Sequence, residues 1–197
     1  AGTATMTITG KGNYQGTFTK DYTIAPKNLA EPEVKIAPID AQEYNGMAVT
    51  PAPSVSYEFG DGTYALSPVN DYTVAYANNK GTGTATVTVT GTGNFTGSKT
   101  AEFRIGQLIT NETKFTISCP ALTDGTQYVY DGSAFEPEVT VTRIEGNKKL
   151  VKDSNYSVTY TDNIHAGTAT VSVEGLGGYV GVWPVSYTHL TLPTNRE

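Results

Sequence analysis

The sequence is poor in cysteine, histidine and charged residues, and these shortages argue against several classes of function. The single cysteine, Cys119, excludes an intrachain disulfide and a Cys₂His₂-type zinc site. Charged residues make up only 16% of the chain, and the net charge is −6. An acidic chain argues against a nucleic-acid partner, which favours a basic surface. The sequence has no run of about 18 apolar residues, so it predicts no membrane span.

What the sequence does contain is one motif in three copies. It reads GTATMTITGKGNYQG at Gly2–Gly16, GTATVTVTGTGNFTG at Gly83–Gly97 and GTATVSVEGLGGYVG at Gly167–Gly181. The copies begin 81 and then 84 residues apart. This period is the size of a domain and is too long for a solenoid repeat. The chain is therefore predicted to be an array of small domains.

The motif alternates in the way that a half-buried strand requires. Ala85, Val87 and Val89 are separated by threonines, and successive side chains of a strand point to opposite faces. The glycines and asparagine at 91–94 supply turn chemistry. A second strand is predicted over Ala101–Ile105, so the motif and its continuation form a hairpin.

Short β-branched and aromatic segments separated by turn residues fill the rest of the chain. Strands are predicted at Phe18–Ile24, Val34–Ala37, Ala48–Thr50, Val55–Phe59, Tyr64–Leu66, Tyr72–Ala77, Thr84–Thr90, Ser98–Ile105, Phe115–Ser118, Tyr128–Tyr130, Glu138–Ile144, Tyr156–Thr161 and Thr168–Glu174. About seven short strands per copy are typical of an immunoglobulin-like sandwich. The predicted fold class is all-β, with tandem immunoglobulin-like β-sandwich repeats.

The repeat also predicts the domain boundaries. Residues 1–25 are expected to be the C-terminal part of a truncated repeat, which we call the N-terminal copy. Residues 26–106 form a complete repeat, the first full copy. Residues 107–184 form the second full copy, whose last strand is incomplete. Ala25–Pro32, with its two prolines, and Gln107–Thr113 are predicted to be linkers.

The C-terminal residues 185–197 break the repeat, and most of them are predicted to be a tail of non-native origin; the alternative is a genuine, divergent C-terminus. Val185–Thr194 reads VSYTHLTLPT, which resembles the translation of a transposase-type sequencing adapter. Tyr187 falls on Phe103 at the repeat offset, whereas His189 falls on the inward apolar position of Ile105. The tyrosine match lets Val185–Thr188 pair as a substitute last strand.

Three segments together resemble a known family. They are YNG followed by proline at 44–51, with YDG and proline at 130–137; DYTVAY at 71–76, with NYSVTY at 155–160; and the glycine-rich motif. They resemble the bacterial immunoglobulin-like repeats, of the MBG-like type, of long surface and secreted proteins. The resemblance implies an extracellular or cell-surface spacer or adhesive stalk. It implies no catalytic residues, and neighbouring repeats of the same chain as partners.

The candidate catalytic groups do not form a convincing set, so the chain is predicted not to be an enzyme. His165 lies in a loop where the other full copy carries Lys80 or Thr82, which is typical of solvated surface. The glutamate pairs are Glu31 with Glu33 and Glu136 with Glu138. Each pair is near only in sequence, beside prolines, whereas a glycosidase needs carboxyl groups that converge in a cleft. Cys119 has no activating base near it in sequence and is interpreted as a small buried hydrophobe.

No metal or other cofactor is predicted. The acidic loops are Asp61-Gly62, Asp124-Gly125, Asp131-Gly132 and Asp162-Asn163. Calcium requires six to eight oxygen ligands, and no D-x-D-x-D-G run is present. Asp-Gly pairs of this kind serve turn geometry.

The 13 tyrosines leave a binding function open. Tyr72 and Tyr156, and likewise Tyr76 and Tyr160, recur at matched positions, which favours core packing or a tyrosine-corner-like hydrogen bond. The main hypothesis is a non-catalytic stalk. One alternative is a module that binds a glycan or a host or cell-surface protein through exposed aromatics. Another is a part of an enzyme whose catalytic domain lies elsewhere. Surface aromatics that differ between copies would favour the binding module.

Overall fold

A computed structural model describes residues 1–122 and 131–189. Their regular structure consists of strands and of two short 3₁₀ turns, Pro120–Leu122 and Glu145–Asn147. The chain is therefore all-β, as predicted. In the described part of the chain, no helix has the length and apolar character needed to cross a membrane.

Each of the three copies contains short strands. The N-terminal copy contains β1 (Gly2–Thr9) and β2 (Thr17–Ile24). Then come β3 (Lys27–Asn28), β4 (Val34–Ile36), β5 (Gln42–Glu43), β6 (Val55–Phe59), β7 (Gly62–Ala65), β8 (Tyr72–Ala77), β9 (Gly83–Gly91), β10 (Phe95–Thr96) and β11 (Ser98–Leu108). The last are β12 (Phe115–Ser118), β13 (Thr140–Arg143), β14 (Lys148–Lys149), β15 (Tyr156–Thr161), β16 (Gly167–Gly175), β17 (Tyr179–Val180) and β18 (Val182–His189).

By contacts the chain divides into two units, of which unit 1 comprises Ala1–Ile39, Thr50–Ala77 and Ala85–Phe103. Unit 1 holds the antiparallel hairpin β1-β2, the parallel pair β3-β10 and the sheet β4-β6-β7. Within it β9 lies between β8 and β11. A cluster of buried side chains forms its core: Leu29, Val34, Val55, Leu66, Tyr72 and Val89.

Unit 2 comprises Asp40–Val49, Asn78–Thr84 and Arg104–Glu197. It holds the sheets β12-β13-β14 and β15-β16-β18. The C-terminal end of β11 pairs in parallel with β5 and with β17. Its core is a cluster of buried residues: Ile109, Phe115, Cys119, Val139, Val141, Leu150, Tyr156, Ala169, Val171, Val173 and Tyr187.

The alternation in the repeated motif has the predicted consequence. Ala85, Val87 and Val89 are fully buried, whereas the threonines between them are half-exposed. In the second full copy Ala169, Val171 and Val173 are likewise fully buried in the matching strand β16. The sequence period of two therefore assigns the faces of both strands correctly.

Two glycines of the motif are required by the backbone. A Cβ built on Gly91 would lie 2.6 Å from the backbone nitrogen of Thr96, a distance that no side chain tolerates. Gly97 has a φ of +70°, a left-handed conformation that favours glycine. The turn between them closes with a hydrogen bond from Gly91 N to Gly97 O at 2.9 Å. Gly10 with Gly16 and Gly175 with Gly181 repeat this bond, which explains why the glycine spacing recurs in all three copies.

Two predictions about the connecting segments are wrong. The proline-rich Ala25–Pro32 contains β3, and Leu29 beside it is fully buried. Gln107–Thr113 begins with the end of β11, and Ile109 is also buried. Both segments therefore belong to folded cores. A strand of two residues carries too short a pattern to be recognised beside prolines, which are tolerated at strand starts and edges.

A third prediction, the strand at Ala48–Thr50, is also wrong. Val49 instead exchanges hydrogen bonds with Asn79: its N–H donates to the backbone oxygen of Asn79 at 2.8 Å. The side-chain amide of Asn79 donates to the Val49 carbonyl at 2.9 Å. The predicted strand Tyr128–Tyr130 lies outside the described residues, and the remaining predicted strands match observed ones, with differences only at their ends.

Candidate functional site

Side chains donate hydrogen bonds to the segment at residues 135–139, which pairs with no strand of the described part of the chain. Tyr156 donates its hydroxyl to the carbonyl oxygen of Val139 at 2.9 Å, and Tyr160 donates to Pro137 at 2.5 Å. Asn163 donates its amide to the carbonyl of Phe135 at 3.1 Å. Carbonyls at alternate residues are thus satisfied one after another. We call this arrangement the side-chain ladder.

The same donor residues recur in the first full copy, with acceptor carbonyls at the matching positions. Within unit 1, Tyr72 donates to Pro53 at 3.1 Å and Tyr76 donates to Pro51 at 2.7 Å. Within unit 2, Asn79 holds Val49 as described above. Proline has no N–H, so it cannot complete a backbone ladder but can still accept a hydrogen bond at its carbonyl. The matched tyrosines therefore serve the structure, as the repeat pattern predicted.

Burial shapes the ionisation of these tyrosines. It raises the pKa of Tyr72, Tyr76 and Tyr156 above the ordinary value, and that of Tyr160 to about 12. Nearby Cys119 and Glu136 add smaller effects at Tyr160. A phenol that stays protonated remains a hydrogen-bond donor at neutral pH, as the ladder requires.

The candidate base is exposed, whereas the candidate nucleophile is buried. His165 is exposed in the loop between β15 and β16. Cys119 is buried, and burial raises the pKa of its thiol despite a partly offsetting backbone hydrogen bond from Leu122. A protonated, buried thiol is a poor nucleophile.

The two glutamate pairs make no acid–base dyad. Glu31 and Glu33 both form ion pairs with Lys27, the second at 3.3 Å. A hydrogen bond from its own backbone N–H and the contact with Lys27 lower the pKa of Glu33, so it stays ionised. Glu136 and Glu138 flank buried Pro137 and point into solvent.

The acidic loops serve turn geometry. Asp131 accepts a hydrogen bond from the N–H of Ser133 at 2.8 Å, and Asn45 binds Met47 in the same way in the first full copy. Asp61 lies in the two-residue turn between β6 and β7, and Asp162 has a left-handed φ of +56°. Asp124-Gly125 lies outside the described residues. In residues 1–122 and 131–189, no group of three or more His, Cys, Asp or Glu side chains could hold a metal ion.

A groove of about 430 Å³ lies within unit 2, beside the end of β11. Its lining consists of Glu43, Tyr44, Gln107, Thr113, Lys114, Phe115, Arg143, Ile144 and Glu145. Lys114 pairs with Glu43 at 2.7 Å and Arg143 pairs with Glu145. Because the lining cations and carboxylates neutralise one another, the groove presents no net charge to a ligand.

Two groove residues, Glu43 and Tyr44, and Arg104 of β11 hold the chain together where the first full copy meets the second in sequence. The second carboxylate oxygen of Glu43 accepts a hydrogen bond from the N–H of Leu108 at 3.3 Å. The N–H of Tyr44 donates to the carbonyl of Gly106 at 2.7 Å. Arg104 donates to the carbonyls of Gly175 and Tyr179 at 3.0 and 3.3 Å. Sequence reasoning missed these contacts because the partners lie more than 60 residues apart.

An exposed aromatic surface distinguishes the first full copy from the second. Phe59 is 65% exposed and Tyr64 is 57% exposed. Tyr57 lies opposite Tyr64 in the ladder between β6 and β7, and its ring centroid lies 6.0 Å from that of Phe59. The matching residue pair in the second full copy is Arg143 with Lys148. Tyr57 itself is half-buried and packs against the core of unit 1. We call residues 57, 59 and 64 the aromatic surface.

The match rests on equivalent hydrogen bonds in the two sheets. Leu66 N donates to Val55 O at 2.9 Å, and Leu150 N donates to Val141 O at 2.8 Å. Counting two residues from each acceptor gives Tyr57 and Arg143.

Comparison of the chain with protein-family models, curated proteins and solved structures gives no match.

Proposed function

We propose that the chain consists of tandem immunoglobulin-like β-sandwich repeats that act as a non-catalytic stalk. Residues 26–106 and 107–184 are the two full repeats, and residues 1–25 are the end of a further one. The stalk belongs to an extracellular bacterial protein, either secreted or on the cell surface. Its partners are neighbouring repeats of the same chain, with no nucleic acid and no cofactor involved.

The observation that supports this proposal most is the side-chain ladder. Tyr160 with Pro137 and Tyr76 with Pro51 form the same bond 84 to 86 residues apart in the chain. The residues that recur between copies thus serve internal hydrogen bonds and core packing. A repeat whose matched tyrosines and prolines stabilise the fold suits a spacer, because these shared residues are engaged in internal hydrogen bonds.

Surface labelling tests the proposed location. An antibody raised against the purified chain is expected to label intact cells of the source organism or to detect the protein in the culture medium. Labelling that appears only after the cells are permeabilised would contradict an extracellular stalk.

The absence of catalysis is tested separately. The purified chain is expected to release no product from glycan or peptide substrates. Turnover that disappears in His165→Ala, with an unchanged melting temperature, would overturn this part of the proposal.

The aromatic surface supports a second candidate, a carbohydrate-binding role for the first full copy. Exposed rings stack on the apolar faces of sugars, and the second full copy carries Arg143 and Lys148 in place of Tyr57 and Tyr64. A glycan array probed with the chain should show binding that Tyr64→Ala removes and the matched control Lys148→Ala retains. Equal binding by both variants, or none by the parent chain, would refute this role.

The tail interpretation also stays a proposal. Val185–Thr188 lies within β18, which pairs with β16 from Gly167 to Glu174, and the Tyr187 hydroxyl donates to the Phe135 carbonyl at 3.3 Å. Long-read sequencing of the source DNA is expected to show a different natural sequence at 189–197. That sequence should encode an apolar residue at position 189 and then continue the array. Codons that persist without adapter sequence would contradict it.

A further inference from the structure

The hairpin β1-β2 exposes an apolar face that is buried in the full copies. One side of the antiparallel register carries Lys20, opposite Met6, and otherwise apolar residues: Ala4, Met6, Ile8, Phe18, Tyr22 and Ile24. All but Ala4 are between 45% and 57% exposed. The matching residues of the first full copy include Val87, Val89, Phe103 and Ile105, and these are 0–3% exposed.

The opposite face of the hairpin is suited to water. It carries threonines along both strands, and the Thr5 hydroxyl donates to Asp21 at 2.6 Å. The hairpin is therefore amphipathic, and its apolar face has the character of one inner face of a sandwich.

The edge of β1 is also open. In the full copies the matching strands have a neighbour on each side: β9 lies between β8 and β11, and β16 lies between β15 and β18. Within the described residues β1 pairs with β2 alone. Its free edge corresponds to the position that β8 and β15 occupy in the full copies.

A third difference appears at Tyr14. The matching Phe95 lies in β10, which pairs with β3, and Tyr179 lies in β17, which pairs with the end of β11. Both of these aromatic residues are half-buried, whereas Tyr14 is 80% exposed. The strand that covers this position in the full copies comes from the start of the repeat.

In the full copies, the first half of the repeat covers the positions that match all three open surfaces: the apolar face, the edge of β1 and the ring of Tyr14. We propose that the hairpin binds a half-repeat equivalent to residues 26–82, joined directly in front of it in the same polypeptide. Five residues connect β8 to β9, and five connect β15 to β16, so both full copies receive this edge strand from within the chain. The inference rests on the proposed repeat organisation but is tested at the hairpin alone.

The test extends the full chain. A copy of residues 26–82 replaces Ala1 and leads directly into Gly2, and a second extended chain carries residues 107–166 there instead. Hydrogen exchange of the β1 and β2 amides is expected to slow by about a hundredfold in at least one of them. Exchange of the β9 and β16 amides shows separately whether the two full copies stay folded. A failure of the repeat organisation is therefore distinguished from a hairpin that binds no half-repeat.

Two variants on opposite faces make the result specific. In the parent chain, Met6→Asp and Thr7→Asp should both leave hydrogen exchange unchanged. In the extended chain, Met6→Asp should return the β1 amides to the parent rate, whereas Thr7→Asp should not. The proposal is overturned if neither extended chain protects β1. It is equally overturned if the parent chain forms a dimer that already protects β1, because a second copy then covers the face.

Discussion

Tyr160 donates its phenolic hydroxyl to the carbonyl oxygen of Pro137 at 2.5 Å. Pro137 is buried, and within residues 1–122 and 131–189 no strand pairs with its segment, so this donor satisfies a carbonyl that those strands leave unpaired. Tyr160→Phe keeps the ring but leaves a buried acceptor unsatisfied, which should cost about 1–2 kcal/mol of unfolding free energy. Urea denaturation measures the loss, and Tyr14→Phe, at an exposed ring, serves as the control. Equal stability of both variants would show that the ladder contributes nothing.

The same tyrosine predicts a loss of stability in alkali. Burial raises the pKa of Tyr160 to about 12 in the folded chain, whereas an unfolded tyrosine has a pKa of about 10. Below pH 10 or so the hydroxyl is protonated in both states, and its stabilising effect is complete. Above that pH the unfolded state loses its proton first, so stability should fall progressively up to about pH 12.

Urea midpoints measured between about pH 8 and pH 11 check this prediction. The midpoint should decline above about pH 10, and Tyr160→Phe should make the decline shallower. It should not abolish the decline, because burial raises the pKa of Tyr72, Tyr76 and Tyr156 as well. A midpoint that does not change over this range would contradict the assignment.

The two faces of β9 predict unequal costs for the same substitution. Val87 is fully buried and Thr88 is half-exposed. Val87→Asp places an unpaired carboxylate in the core and should cost about 3 kcal/mol or more, whereas Thr88→Asp should cost well under about 1 kcal/mol. Thermal or urea unfolding followed by circular dichroism gives both values, and similar values would show that the faces are misassigned.

Gly106 lies close to the backbone of Gly178 within unit 2, so a side chain at position 106 should be costly. A Cβ built there would lie 2.7 Å from the carbonyl oxygen of Gly178, whereas one built on Gly81 meets nothing within 4 Å. Gly106→Ala should therefore lower the unfolding free energy by about 1–3 kcal/mol. Gly81→Ala should be neutral or slightly stabilising. Melting temperatures decide, and a harmless Gly106→Ala would mean that β11 and β17 are less tightly paired.

The sequence predicted what depends on local patterns and missed what depends on distant partners. The alternation of Ala85, Val87 and Val89 has the period of a strand, so β9 and its buried face were predictable. Leu29 is a single apolar residue in a segment without periodicity, and its burial depends on distant partners such as β10, which pairs with β3. The ion pair of Glu43 with Lys114 joins residues 71 positions apart.

The side-chain ladder is an intermediate case. Pro51 recurs as Pro137 and Tyr76 recurs as Tyr160, so the sequence indicated that these residues share a structural role. The sequence did not indicate that the tyrosine hydroxyl donates a hydrogen bond to the proline carbonyl. The strand predicted at Ala48–Thr50 was wrong for the same reason, since the hydrogen bonds of Val49 go to Asn79.

Single-molecule force extension of the chain tests the central claim, that it is a tandem stalk of separately folded repeats. With a period of 81–84 residues, each full repeat should unfold in its own event and release about 280 Å of extended chain, less its folded length. Two such events of nearly equal length are the predicted result. A single event that releases both copies together, or extension without a resisted step, would contradict the account.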